Sequence, residues 1–162
     1  MFYAGSDNAK SDYSEIIKTE NQVFFTPEVD INSTSIKEPV KPRDPRAIRL
    51  ERFLKTQLSP LQNHANLLVE LSDQYNIDYK LVVAIAGVES GYCNVNFRPN
   101  NCWGYGNYSW GSLEIGIREY YRLFHIHYFA KGYDTLSEIA DIYNPYPENY
   151  IAKVSKFIDR IP

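Results

Sequence analysis

The sequence predicts an all-α domain that follows a polar N-terminal tail. Three observations lead to this prediction. Beyond position 43, apolar residues recur every three or four positions, which is the spacing of one helix face. Several of these runs begin at a capping residue, in some cases followed by proline at the first helical position. The same part of the chain has no long alternating pattern of the kind that forms a strand.

Residues 1–43 are expected to form a flexible tail or linker. They are rich in Ser, Asn, Asp, Thr, Glu and Lys, lack a helical period, and end in a proline-spaced run at 37–43. Only the stretch 22–26 predicts a short strand or a surface anchor. The first residues turn polar at once, so no export signal is recognised in this chain. No stretch approaches the roughly 18 apolar residues of a membrane span.

Six helices are expected in the domain, residues 44–162. Their approximate bounds are 45–57, 60–75, 79–88, 113–130, 135–143 and 147–161. Capping residues precede four of them, namely Asp44, Ser59, Asp78 and Ser112. The third helix is apolar around its whole circumference from Leu81 to Ala86, which predicts burial on every side. Glycine, asparagine and proline between 91 and 111 predict a long loop.

Composition narrows the range of partners. The net charge of −3, without a basic stretch, argues against nucleic acid. The 14 Tyr, 8 Phe and 2 Trp suit a carbohydrate groove, although single tyrosines also suit half-buried helix edges. His125 and His127 lie on different faces of one helix and are poorly placed to bind a metal together. We therefore expect no metal and no cofactor, and we expect a monomer.

Cys93 and Cys102 stand nine positions apart in the predicted loop. A disulfide between them would stabilise the fold by about 2–3 kcal/mol and indicate an oxidising compartment. Two free thiols would instead indicate a reducing one. We favour the disulfide, because both residues flank a loop that has to be held firmly. Without a neighbouring His pair, the two cysteines do not make a zinc site.

Glu89 stands at the end of the apolar third helix, with no charged residue between it and Lys80. Burial disfavours the ionised carboxylate, and so does the negative end of the helix dipole, so both effects raise its pKa. A raised pKa suits a general acid that works near neutral pH. On position alone, Glu89 could equally well be a non-catalytic residue at a solvent-exposed helix end.

The neighbours of Glu89 resemble the lysozyme-like superfamily. The run Ala-Gly-Val-Glu-Ser-Gly-Tyr at 86–92 is similar to the Glu-Ser motif of soluble lytic transglycosylases, which cleave peptidoglycan glycan strands. In that family a buried helix ends in the catalytic Glu, and the following Ser supports the acid and the substrate. The resemblance implies that Glu89 is the catalytic acid and that Ser90 belongs to the substrate site.

Residues 101–106 resemble an Asn-x-Trp-Gly loop found in a branch of the same superfamily. This resemblance implies that Trp103, Gly104 and Tyr105 lie at the substrate. Glycine there permits a close approach of backbone to ligand, and the aromatic residues offer stacking faces. The same loop stands where standard soluble lytic transglycosylases have Gly-Leu-Met-Gln. It also resembles a segment of glucosaminidase-type autolysins, which leaves open the bond that is cleaved.

Residues 139–145 are similar to the Ala-x-x-Tyr-Asn segment of lytic transglycosylases, whose Tyr points its hydroxyl toward the catalytic Glu. The resemblance implies that Tyr143, together with Asn144, belongs to the substrate site. The three similar segments span most of residues 58–162 in the order that the family has them. The expected fold is therefore a lysozyme-like, lytic transglycosylase-like helical domain.

The number of catalytic carboxylates decides between the enzymatic alternatives. A glycosidase of the usual kind needs two, whereas a transglycosylase can use one Glu together with the 6-hydroxyl of the sugar. Only Glu89 is persuasive. The expectation is a transglycosylase acting on peptidoglycan outside the cytoplasm. A hydrolytic autolysin with Glu114 as a possible second carboxylate, and a glycan-binding module without activity, remain as alternatives. Asp134, Asp141 and Glu148 are better explained as caps or solvated charges.

Overall fold

A computed structural model of the protein describes residues 42–162, and within this range all regular structure is helical. The stretch 22–26 and nearly all of the expected tail lie outside the described residues. The all-α prediction is confirmed for the part that the structure describes. The α-helices are α1 (Pro45–Thr56), α2 (Ala65–Tyr75), α3 (Tyr79–Ser90), α4 (Leu113–His127), α5 (Leu136–Tyr143) and α6 (Pro147–Ile158).

The four expected capping residues all accept a hydrogen bond from a backbone N–H in the first turn of their helix. The carboxylate of Asp44 accepts from Arg46 N at 2.7 Å, and that of Asp78 accepts from Lys80 N at 2.8 Å. The hydroxyls of Ser59 and Ser112 do the same for the elements that follow them. Each cap satisfies a donor that has no partner inside its helix, which is why the sequence marks the helix starts well.

The helix ends depart from the expected bounds. The second helix begins as a 3₁₀ segment, Pro60–His64, before α2. Helix α4 ends at His127, and a separate 3₁₀ turn, Phe129–Lys131, follows it. Helix α3 is two residues longer than expected and ends at Ser90, so Glu89 lies within its last turn. Apolar spacing continues through a 3₁₀ turn much as it does through a helix, so spacing alone does not separate the two.

Helix α3 forms the centre of the domain. Residues 82–86 have no exposed surface, which confirms the predicted burial on every side. Helix α6 packs closely against α3 at Gly87, where a Cβ atom would lie 2.4 Å from the ring of Phe157. Only a glycine permits that approach. No helix among residues 42–162 is long and apolar enough to cross a membrane.

Candidate active site

Glu89 occupies the last turn of α3, and the helix ends immediately after it. Gly91 adopts a left-handed conformation with φ of +57°, and the N–H groups of Gly91 and Tyr92 close the helix on the carbonyls of Gly87 and Ala86. This is the arrangement by which a glycine ends a helix. The carboxylate therefore projects from the rim of a rigid, buried element, while the side chain itself reaches solvent.

A cleft of about 350 Å³ opens at Glu89 between α3, the segment after α5, and α6. Its lining residues are Val88, Glu89, Asn144, Tyr146, Asn149, Tyr150 and Lys153. Among residues 42–162, Glu89 is the only acid that lines this cleft and Lys153 is the only base. The cleft therefore brings together Glu89 and Asn144, two of the residues expected at the site.

The surroundings of Glu89 raise its pKa above the usual value for a glutamate. Partial removal of water from the carboxylate is the largest cause, and the side chains of Tyr150 and Lys153 act in the opposite direction. The carboxylate reaches solvent through the cleft, yet the cleft walls displace enough water to favour its protonated form. This is the direction that a general acid requires.

Tyr150 and Lys153 line the cleft, and the sequence indicated neither of them as a site residue. The Tyr150 hydroxyl is buried and has no hydrogen-bond partner among the described residues, although it lies close enough to the Glu89 carboxylate to influence that pKa. No hydrogen bond of ordinary geometry joins the two groups. A buried hydroxyl without a partner is uncommon and is often completed by a ligand or water. From its position three residues after Pro147, the sequence indicated only that Tyr150 belongs to the apolar face of the last helix.

Gly104 brings the loop after α3 to the Glu89 carboxylate. It has φ of +60°, and a Cβ atom placed on it would lie 3.0 Å from Glu89 Oε2. The Tyr143 hydroxyl donates a hydrogen bond to the carbonyl of Trp103 at 2.5 Å and so holds the neighbouring residue of the loop. Gly104 therefore lies beside the Glu89 carboxylate. Tyr143 acts on the loop, where the resemblance implied that its hydroxyl would point to Glu89.

The expected substrate contact of Trp103 is wrong. Its side chain has no exposed surface, its indole N–H donates to the carbonyl of Val82 at 3.0 Å, and its ring stacks on Tyr120 with 4.3 Å between the ring centroids. A ring with its face and its polar edge already engaged in the core cannot stack on a sugar. Trp103 instead anchors the loop that carries Gly104.

Ser90 does not line the cleft, and its hydroxyl binds the loop after α3. Its hydroxyl lies 2.6 Å from the carbonyl of Cys102 and 3.0 Å from that of Ala86, and it accepts a hydrogen bond from Cys93 N at 2.8 Å. The residue is buried. These bonds tie the loop to the end of α3 rather than supporting the acid.

The two cysteines also connect the loop to the end of α3. Cys93 and Cys102 form a disulfide, as favoured from the sequence. Both are buried beside Ser90, so the disulfide and the hydrogen bonds of the Ser90 hydroxyl hold the loop at the same place. The position of Gly104 near Glu89 follows from this anchoring.

Tyr105 follows Gly104 in the loop, and it does not line the cleft. Its backbone N–H donates to the Asn101 side chain at 3.0 Å, and its hydroxyl forms a short hydrogen bond with His127 Nδ1. Its ring packs near Tyr108 and His127. The structure therefore gives Tyr105 a role in holding the loop, and it does not place the ring at Glu89.

The candidate second carboxylates do not line the cleft. Glu114 is exposed and pairs with Arg118 one turn along α4, with 2.9 Å between the charged atoms. Asp134, Asp141 and Glu148 are exposed as well. The single-carboxylate character expected for Glu89 agrees with the set of side chains that face it.

No protein-family model matches the sequence, and no curated protein matches it. The site is therefore interpreted from its own geometry. That geometry comprises one glutamate with a raised pKa at the rim of a buried helix, a cleft that opens onto it, and beside it a tyrosine hydroxyl that has no partner in the described part of the chain.

Proposed function

We propose that the protein is a lytic transglycosylase that cleaves peptidoglycan between N-acetylmuramic acid and N-acetylglucosamine. The observation that supports this most is the single acid in the cleft. Hydrolytic glycosidases need a second carboxylate, at about 5 Å for retention or about 6.5–9.5 Å for inversion. Among residues 42–162, Glu89 is the only acid that lines the cleft. A reaction in which the sugar supplies its own nucleophile needs only that group.

In the proposed reaction Glu89 first donates its proton to the glycosidic oxygen as the bond from that oxygen to C1 breaks. The resulting carboxylate then accepts the proton of the 6-hydroxyl, whose oxygen forms a new bond to C1. The products are a 1,6-anhydro sugar and a free 4-hydroxyl, and Glu89 regains its proton. The raised pKa of Glu89 favours the first step. In this proposal the Tyr150 hydroxyl donates a hydrogen bond to an oxygen of the bound sugar, and its lack of a partner among residues 42–162 supports that role.

We further propose that the protein acts outside the cytoplasm, as a monomer. The Cys93–Cys102 disulfide supports this location, because such bonds persist in oxidising compartments. Peptidoglycan is found in the same compartments. The glycan strand itself is the proposed partner.

Digestion of purified peptidoglycan, followed by mass spectrometry of the soluble products, tests the proposal. We expect 1,6-anhydro muropeptides from wild type and a loss of at least about 100-fold in rate from Glu89→Gln. Glu114→Gln is the matched control, because it removes an exposed carboxylate outside the cleft. Products with only reducing ends would identify a hydrolase. Binding without turnover by wild type would identify a glycan-binding module.

A further inference from the structure

We propose that Lys153 binds a carboxylate of the glycan substrate, carried by the lactyl group of the muramic acid or by its peptide stem. This inference rests on the proposed function and assigns the residue that would distinguish peptidoglycan from a neutral glycan such as chitin. Neither the resemblance nor the chemistry of the single acid requires it.

The position of Lys153 supports this role. It lies on α6, three residues after Tyr150, and residues at that spacing share one helix face. Both side chains line the cleft that contains Glu89. Lys153 is exposed and forms no ion pair with any residue between 42 and 162. No acid of the described part of the chain therefore occupies its ammonium group.

The charge of Lys153 works against the proposed acid. It lowers the pKa of Glu89, whereas the acid has to be protonated to begin the reaction. A substrate carboxylate bound to Lys153 removes this conflict, because the negative charge offsets the ammonium. In the empty cleft the lysine therefore disfavours protonation of Glu89. In the complex with an anionic glycan it binds the substrate, and its charge no longer opposes protonation of the acid.

A second group on the same wall of the cleft also lacks a partner. The Tyr150 side chain is 3% exposed, and its hydroxyl makes no hydrogen bond with any described residue. A hydroxyl and an ammonium that both lack a partner within residues 42–162, one turn apart on one helix, are two donors available to the same ligand. Oxygen-rich ligands with a negative charge fit this pair best.

Calorimetric binding to the Glu89→Gln protein tests the assignment, since this variant holds the substrate without turnover. Two ligand pairs separate the sources of the carboxylate. The first is a peptide-free N-acetylglucosamine–N-acetylmuramic acid tetrasaccharide, with the lactyl groups as free acids or as methylamides. The second is the same glycan bearing peptide stems, with the stem carboxylates free or amidated. The protein variants add Lys153→Gln, or the matched control Lys156→Gln, which removes a charge from α6 outside the cleft.

We expect the anionic member of at least one pair to bind about two- to fivefold more tightly than its neutral partner, as an exposed ion pair allows. Lys153→Gln should abolish this difference and Lys156→Gln should keep it. High salt should reduce it. The pair that shows the difference identifies the lactyl or the stem carboxylate.

Equal binding within both pairs, or a difference that survives Lys153→Gln, would overturn the assignment of Lys153 and leave the proposed function intact. A difference that Lys156→Gln removes equally would also overturn it, because the effect would then come from the general charge of α6. Absence of binding to every glycan would overturn the assignment and the proposed function together.

Discussion

Replacing Gly104 by alanine tests whether the loop after α3 positions the catalytic acid. Two effects are expected from one added methyl group. The left-handed φ of +60° is strained for any residue with a Cβ, at about 1–2 kcal/mol. The methyl carbon would also stand 3.0 Å from Glu89 Oε2, so the carboxylate has to move by a few tenths of an ångström.

Gly91→Ala separates the two effects. Gly91 has nearly the same conformation, with φ of +57°, but a Cβ there meets nothing within 4 Å. Gly132, with φ of +85° and equally open surroundings, gives a second control away from the cleft. All three variants should lose comparable stability, about 3–10 °C in Tm for a domain of this size. Only Gly104→Ala should move the acid.

The expected loss of activity follows from that movement. A displacement of about 1 Å can cost about 100-fold in rate, so a few tenths of an ångström should cost about threefold to tenfold. The assay is the rate of release of soluble muropeptides at a temperature where all variants are folded, with Tm measured by circular dichroism. A Gly104→Ala rate within twofold of wild type would refute the positioning role. Equal losses in Gly91→Ala would show that backbone strain alone is responsible.

Three further predictions concern the groups around the acid. Because the folded-state pKa of Glu89 is raised, its stabilising contribution is present below about pH 4 and is lost as pH rises through the folded pKa. Glu89→Gln should therefore raise Tm at pH 7 and leave it unchanged near pH 4, and an unchanged Tm at both would contradict the direction of the shift. Tyr150→Phe should reduce activity while Tm stays the same or rises, since the buried hydroxyl has no partner to lose among residues 42–162; a lower Tm would show that the hydroxyl does form a stabilising hydrogen bond. Reduction of the Cys93–Cys102 disulfide should cost about 2–3 kcal/mol, measured by urea denaturation with and without dithiothreitol. An unchanged midpoint would show that Ser90 alone holds the loop.

The helix starts could be predicted from the sequence because they depend on local chemistry. Asp44, Asp78 and their equivalents act on backbone groups two or three residues away, so the signal lies next to its effect. The burial of α3 could also be predicted, since a helix that is apolar around its whole circumference has to be buried on every side. Helix ends and 3₁₀ turns were less visible, because they depend on packing against distant elements.

The site was predictable where one residue determines the chemistry and not where several elements meet. Glu89 was predicted as the acid from its place in the sequence and its neighbours, and it lines the cleft. Ser90 and Trp103 were expected at the substrate, but both bind backbone carbonyls inside the protein, because their residue types form hydrogen bonds to ligands and to loops alike. Only the fold shows that Trp103 stacks on Tyr120 inside the core. The sequence did not indicate that Lys153 lines the cleft with Glu89, because the two residues are more than sixty positions apart in the chain.

Because helices α3 and α6 approach closely at Gly87, the width of the cleft depends on the side chains at positions 87 and 157. Helix α6, which carries the cleft wall opposite Glu89, rests with Phe157 directly against the bare backbone of Gly87. A side chain at 87 would act as a wedge and move that wall outward, unless position 157 became smaller at the same time. We therefore expect the two positions to covary among relatives, with small residues at one matched by large residues at the other.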